Sequence, residues 1–161
     1  MVHDQFRRAL RDVRISVTDR CNFRCTYCMP ADVFGESFQF LSHFDILSFE
    51  EITRLTRILV KLGVVKVRLT GGEPLVRKDV EQLVGMLAQV DGVDDLTMTT
   101  NASLLPQKAQ ALKDAGLQRL TISLDSLDDE VFRRLNGNRS SVQKVLDGIA
   151  AAEAAGFSPL K

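Results

Sequence analysis

The sequence predicts an α/β fold, a parallel sheet with helices packed against it, built from about four consecutive strand–helix units. Three observations predict it. A short alternating or apolar run, followed by a longer stretch with apolar residues at helical spacing, recurs four times along the chain. Polar residues gather where the predicted strands end, at Thr18, Asp19, Thr70, Thr99, Thr100, Asn101, Ser123 and Asp125, which is the edge where parallel α/β folds place their sites. With 161 residues, 45% of them hydrophobic and 26% charged, the chain is long enough to enclose one core.

Residues 13–18 alternate, with Val13, Ile15 and Val17 apolar and Arg14, Ser16 and Thr18 polar, and read as the first strand. The stretch between Cys28 and Leu47 holds Pro30, Gly35 and several phenylalanines and is longer than an ordinary strand–helix connection. Ser48 and Glu51 form a capping box for the first helix, Gly63 supplies its stop, and the expected buried stripe is Ile52, Leu55, Ile58, Leu59 and Leu62. Residues 64–70 are the second strand, running into Gly71-Gly72-Glu73-Pro74, and residues 79–90 carry Val80, Leu83, Val84 and Leu87 at helical spacing. A third strand over residues 96–100 leads through Asn101 and Pro106 into a helix that points Ala109 and Leu112 inward and ends at Gly116. In the fourth unit a strand at residues 120–124 leads through the Asp125-Ser126 turn to a short helix at 130–135. A break at Gly137-Asn138 and a longer helix over 141–155, stopped by Gly156, follow. Pro159-Leu160-Lys161 stand where a fifth strand is expected to start. The sheet is therefore expected to be open along its last strand, and the chain to be a fragment of a longer parent or a product of early termination.

Lys+Arg and Asp+Glu number 21 each, so no global field draws the chain to nucleic acid or an acidic membrane surface, and any anion site must be local. Residues 1–12 carry Arg7, Arg8 and Arg11 with no apolar stretch long enough for a signal peptide or membrane span, so a cytoplasmic location is expected. All three cysteines, Cys21, Cys25 and Cys28, fall in the run Cys-Asn-Phe-Arg-Cys-Thr-Tyr-Cys. An odd number of thiols cannot all pair within the chain, so the cluster reads as a metal site. Two metal chemistries fit. Three thiolates leave one iron of a cubane iron–sulfur cluster without a protein ligand and open to a small molecule. Alternatively, His43 joins the three thiolates on a zinc ion; otherwise His3 and His43 read as surface or core residues. Gly71 and Gly72 either let the backbone approach a ligand with no side chain between, or form a tight strand-to-helix turn.

The run Ile15-Ser16-Val17-Thr18-Asp19-Arg20-Cys21-Asn22-Phe23-Arg24-Cys25-Thr26-Tyr27-Cys28-Met29-Pro30 resembles the cluster loop of radical S-adenosylmethionine enzymes. With Arg68-Leu69-Thr70-Gly71-Gly72-Glu73-Pro74, Thr99-Thr100-Asn101 and Ser123-Leu124-Asp125 in the same order and spacing, nearly the whole chain from about Asp12 onward is similar to the GTP 3′,8-cyclase family. The resemblance implies a partial (βα) radical SAM barrel ending at the fifth strand, with residues 1–161 as an incomplete core domain. It implies a lyase that converts GTP to (8S)-3′,8-cyclo-7,8-dihydroguanosine 5′-triphosphate in the first step of molybdenum cofactor biosynthesis. Cys21, Cys25 and Cys28 are the implied ligands of one [4Fe-4S] cluster, whose open iron is chelated by the amine and carboxylate of S-adenosylmethionine. An electron from the cluster cleaves the sulfonium, and the 5′-deoxyadenosyl radical formed abstracts a ribose hydrogen and starts ring closure onto the purine.

By the same resemblance Tyr27, Gly72 and Ser123 contact S-adenosylmethionine, while Arg14, Arg68, Thr99 and Lys161 contact GTP, and no side chain is assigned a catalytic role of its own. Arginine suits a triphosphate because its guanidinium bonds two oxygens in fixed geometry, and Arg14 and Arg68 lie on the polar side of their strands, facing either the barrel interior or solvent. Implied partners are an electron donor and the next enzyme of the molybdopterin pathway, with no nucleic acid and no membrane. The family's C-terminal half, with three further cysteines for a second cluster and a Gly-Gly tail, lies outside these residues. This chain is therefore expected to encode the cosubstrate half of the site, to lack most purine recognition, and to be impaired in turnover by itself. A non-catalytic iron–sulfur or zinc-binding remnant, and a different radical S-adenosylmethionine reaction on a peptide or porphyrin precursor, are the alternative readings.

Overall fold

The computed structural model describes residues 2–161. Its strands β1 (Asp12–Ser16), β2 (Lys66–Thr70), β3 (Asp95–Thr100) and β4 (Arg119–Ile122) form one sheet in the order β1-β2-β3-β4, each neighbouring pair parallel. Parallel pairing requires a crossover between strands. Here the crossovers carry α1 (Phe49–Leu62), α2 (Val80–Ala88) and α3 (Leu105–Asp114), while α4 (Asp129–Leu135) and α5 (Val142–Ala154) follow β4. A single 3₁₀ turn at Pro74–Val76, which the sequence reading did not separate from the loop, precedes α2.

One face of the sheet is the core. Val67, Leu69, Leu96, Met98 and Leu120 are buried there against helix residues that include Leu83, Leu87, Leu105, Leu112 and Val145. Each such side chain contributes about 1.5–3 kcal/mol when fully buried, which is why the helices lie on this face. The intervening positions form the other face: Arg14 is paired in register with Arg68, Arg68 with Thr97, and Thr99 with Thr121. That face is polar along its whole length. At its N-terminal end Lys66 lies 3.3 Å from Asp12 and 3.9 Å from Asp95, and Arg119 Nε donates to Asp95 at 2.9 Å, so side-chain ion pairs connect all four strands.

The first helix begins and ends where the sequence placed it. Ser48 Oγ accepts from Glu51 N at 3.1 Å, Glu51 accepts from Ser48 N at 2.8 Å, and Gly63 ends the helix at φ 118°. Its buried face is different from the one expected. Ile52 is buried and Leu59 packs half-buried on the core, as expected, but Thr53 and Thr56 are buried beside them while Leu55, Ile58 and Leu62 are exposed, so the helix is turned by roughly 100°, one residue step. The cause is that Thr53 and Thr56 donate their hydroxyls to the carbonyls four residues back, at 2.7 and 2.9 Å. A threonine satisfied in this way presents only its methyl to the core.

The expected inward residues of α2 and α3, Val80, Leu83, Val84, Leu87, Ala109 and Leu112, are all buried. β4 is the edge of the four-stranded sheet, as expected, and along it a single residue is bonded: Lys161 N donates to Leu120 O at 3.3 Å and Lys161 O accepts from Ile122 N at 2.7 Å. In a parallel ladder that pattern sets Lys161 opposite Thr121, in the same row as Thr99. No described helix is long and apolar enough to cross a membrane.

Candidate functional site

The C-terminal ends of the strands and the cysteine loop enclose an open cavity of about 240 Å³. Cys21, Cys25, Tyr27 and Cys28 line it from the loop, Thr70 to Glu73 from the end of β2, Thr99 to Asn101 from the end of β3, and Ser123 from the end of β4. Of the strand-end residues singled out in the sequence, Thr70, Thr99, Thr100, Asn101 and Ser123 meet there. Thr18 and Asp19 face a separate cavity of about 200 Å³ with Arg20, His43 and Arg77.

Several groups hold the cysteine loop in place. Phe23 is buried in the core, edge-on to Phe132 at 6.2 Å between ring centres. Arg24 curls under the loop and donates to the carbonyls of Cys21, Phe23 and Phe34, each at 2.8 Å. The end of α4 supplies two more ties, since Arg24 N donates to Asn136 O and Thr26 N to Leu135 O. A Cβ on Gly137 would meet Arg24 O at 2.6 Å, so the predicted Gly137-Asn138 break is also where the cysteine loop seats. The ties from the cysteine loop to Leu135 and Asn136 join residues distant in sequence, which is why the sequence reading missed Arg24 and Asn136.

The glycine pair is required by the chain's own backbone. A side chain on Gly71 would overlap the carbonyl oxygen of Thr18, and one on Gly72 that of Arg20. Gly72 N donates to Thr18 O at 2.8 Å and Glu73 N to Arg20 O at 2.9 Å, which locks the end of β2 to the entry of the cysteine loop. Glu73 adds a further tie. It is 2% exposed, accepts from Leu75 N, Thr100 Oγ1 and Asn101 N at 3.0, 2.7 and 2.7 Å, and so ties the glycine loop to β3. Burial raises its carboxyl above the usual range despite those three donors.

Burial likewise pushes the thiols of Cys21 and Cys25 up, and Phe23 N–H, donating to Cys21 Sγ at 3.3 Å, opposes the rise at Cys21. Tyr27, at the edge of the cavity, donates its hydroxyl to Asp125 at 2.9 Å. Partial desolvation and that bond hold the phenol well above its ordinary value. Asp125 carries the polar end of β4 to the cysteine loop, a pairing the sequence did not show.

The cysteine loop offers a soft, all-sulfur donor set. Three free thiols, Cys21, Cys25 and Cys28, line one cavity. A cubane asks each thiolate to reach a different iron, whereas zinc needs its ligands about 2.0–2.3 Å from one point. His43, the fourth ligand of the zinc reading, lines the other cavity.

On the polar face, Arg14 is exposed beside half-buried Arg68, and Arg68 Nε and Thr99 Oγ1 are buried with no hydrogen-bond partner among the described residues. Thr99 lines the cavity whereas Arg14, Arg68 and Lys161 do not; buried polar atoms normally have partners, so the orphaned Arg68 donor and Thr99 hydroxyl mark this face as a place for a polar ligand.

The family model described as the Radical SAM superfamily matches residues 15–161. A GTP 3′,8-cyclase from Acidothermus cellulolyticus is 53% identical over 160 residues, 99% of this chain and 44% of that protein. Another from Xanthomonas axonopodis pv. citri is 50% identical over 99% of this chain and 48% of that protein. The chain thus spans less than half the length of these curated relatives. Among solved structures, Streptococcus suis SuiB bound to the precursor peptide SuiA aligns with a TM-score of 0.72 at 20% identity, over 91% of this chain and 31% of that one, which is a likeness of fold.

Proposed function

Since this chain belongs to the radical SAM superfamily, we propose that it carries the cluster and cosubstrate site of a GTP 3′,8-cyclase, with Cys21, Cys25 and Cys28 as ligands of one [4Fe-4S] cluster. The single observation that carries the substrate assignment is the pair of unpartnered buried polar atoms, Arg68 Nε and Thr99 Oγ1, on the face where Arg14 stands in register with Arg68. The about 50% identity to GTP 3′,8-cyclases supports it.

When bound, the cluster and S-adenosylmethionine supply one-electron radical initiation. The chain's own residues supply position and charge. Gly72 and Ser123 border the cavity beside the thiols, and Tyr27, held by Asp125, lines its edge, an arrangement suited to holding the cosubstrate against the open iron. Arg14 and Arg68 offer forked cationic donors for a triphosphate, Thr99 a hydroxyl, and Lys161 a further ammonium from the row of Thr121. No side chain here needs to act as a general acid or base, because the work assigned to the protein is binding, orientation and neutralisation of phosphate charge.

Anaerobic reconstitution with iron and sulfide tests the cluster: about four irons per chain, a brown colour, and 5′-deoxyadenosine released from S-adenosylmethionine under reduction are expected. Colourless zinc-loaded protein would overturn it. GTP binding tests the substrate. Arg68→Ala is expected to weaken it about 10- to 100-fold, the loss of a charged hydrogen bond of ~1.5–3 kcal/mol, while cosubstrate cleavage persists. Unchanged GTP affinity would redirect the assignment to another radical SAM substrate.

A further inference from the structure

Asn22 stands between Cys21 and Phe23, and its amide belongs to a closed ring of hydrogen bonds. Asn22 Nδ2 donates to Ser103 Oγ at 2.8 Å, Ser103 Oγ donates to Asn101 Oδ1 at 2.7 Å, and Asn101 Nδ2 donates back to Asn22 Oδ1 at 2.9 Å. All three donors point the same way round, so each polar atom polarises the next. The ring is anchored in the fold: Ser103 is 1% exposed, Asn101 is 8% exposed, and Ser103 N adds a bond of 3.0 Å to Asn101 Oδ1. It therefore joins the cysteine loop to the segment after β3 from a distance of about 80 residues.

The peptide that follows Asn22 is the one whose N–H donates to Cys21 Sγ at 3.3 Å. That donor has two restraints. The Phe23 side chain is sunk in the core, and the Asn22 side chain is held by the ring, which together leave the Cys21-Asn22-Phe23 backbone little freedom to turn the N–H away. Hydrogen bonds to ligand sulfur stabilise the more negative, reduced state of an iron–sulfur cluster and so raise its potential.

We propose that Asn101 and Ser103, acting through Asn22, are positioning residues that keep the Phe23 N–H on the Cys21 sulfur and thereby set the potential at which the cluster accepts its electron. The proposal rests on the reading of the three cysteines as iron ligands. Asn101 also lines the cavity, whereas Asn22 and Ser103 do not, so a change at either of these two separates the positioning role from cosubstrate or substrate contact.

The test is a redox titration, followed by electron paramagnetic resonance, of reconstituted wild type, Asn22→Ala, Ser103→Ala and Ser103→Thr without S-adenosylmethionine. Asn22→Ala and Ser103→Ala are expected to bind iron like wild type but to reduce at a more negative potential. The expected shift is up to about tenfold in the reduction equilibrium, ~59 mV for one electron. Ser103→Thr, which keeps the hydroxyl, is expected to retain the wild-type midpoint. Wild-type midpoints in both alanine variants would overturn the proposal, as would loss of iron from both alanine variants, which would assign the ring to folding alone. Failure of the wild type itself to take up iron would instead defeat the underlying cluster reading.

Discussion

At Glu73 the donors that satisfy a buried carboxylate are also the bolts of the site, since Leu75 N, Thr100 Oγ1 and Asn101 N come from two different strand ends. Thr100 Oγ1 has a second duty, accepting from Ala102 N at 3.0 Å. Thr100→Val keeps the shape and removes both bonds, leaving a buried N–H and one carboxylate oxygen short of a partner. It is expected to cost about 1–3 kcal/mol, measured by urea unfolding. Because burial raises the Glu73 carboxyl, its contribution is full below its unfolded value and declines as pH rises through the folded one. The residue type was legible in the sequence as part of Gly-Gly-Glu-Pro. Its partners were not, because hydrogen bonds across 27 and 28 residues leave no local pattern.

Elements show the same division. The ends of α1 were readable from Ser48, Glu51 and Gly63 because capping is chemistry between residues three or four apart. Ser48→Ala removes the hydroxyl that receives Glu51 N and is expected to lower thermal stability by about 1 kcal/mol, within the usual 0.5–2 kcal/mol of an N-cap. The buried face of that helix was not readable from hydropathy alone. Counting leucines and isoleucines selected Leu55, Ile58 and Leu62, but Thr53 and Thr56 are internally satisfied and pack inward in their place. The apolar faces of α2 and α3 contained no such threonines, and there the pattern and the structure agree.

For the whole molecule, the ion pairs at the N-terminal end of the polar face join strands whose order only the sheet establishes. Hydrogen bonding by Arg119 is the main reason the Asp95 carboxyl is held below its usual range, with Lys66 adding to it. A depressed folded value means the contribution is present above the unfolded value of 3.8 and is lost as pH falls through the folded value. Acid unfolding followed by circular dichroism is therefore expected to show a destabilising phase below about pH 4 that Asp95→Asn makes smaller, the depressed carboxyls of Glu81 and Asp129 contributing the rest. An unchanged acid phase in that variant would place the acid-sensitive group elsewhere. By itself the sequence determined the strand–helix alternation, the helix caps, the cysteine triplet and the polar strand ends, all of which depend on residues within a turn or two of each other. Only the tertiary structure decided that Asn22 meets Asn101 and Ser103, that Glu73 bolts β2 to β3, that Gly71 and Gly72 make room for the backbone of Thr18 and Arg20, and that His43 stands apart from the thiols. Those contacts arise from the parallel register, which brings strand ends into one rim and closes distances that the chain leaves open.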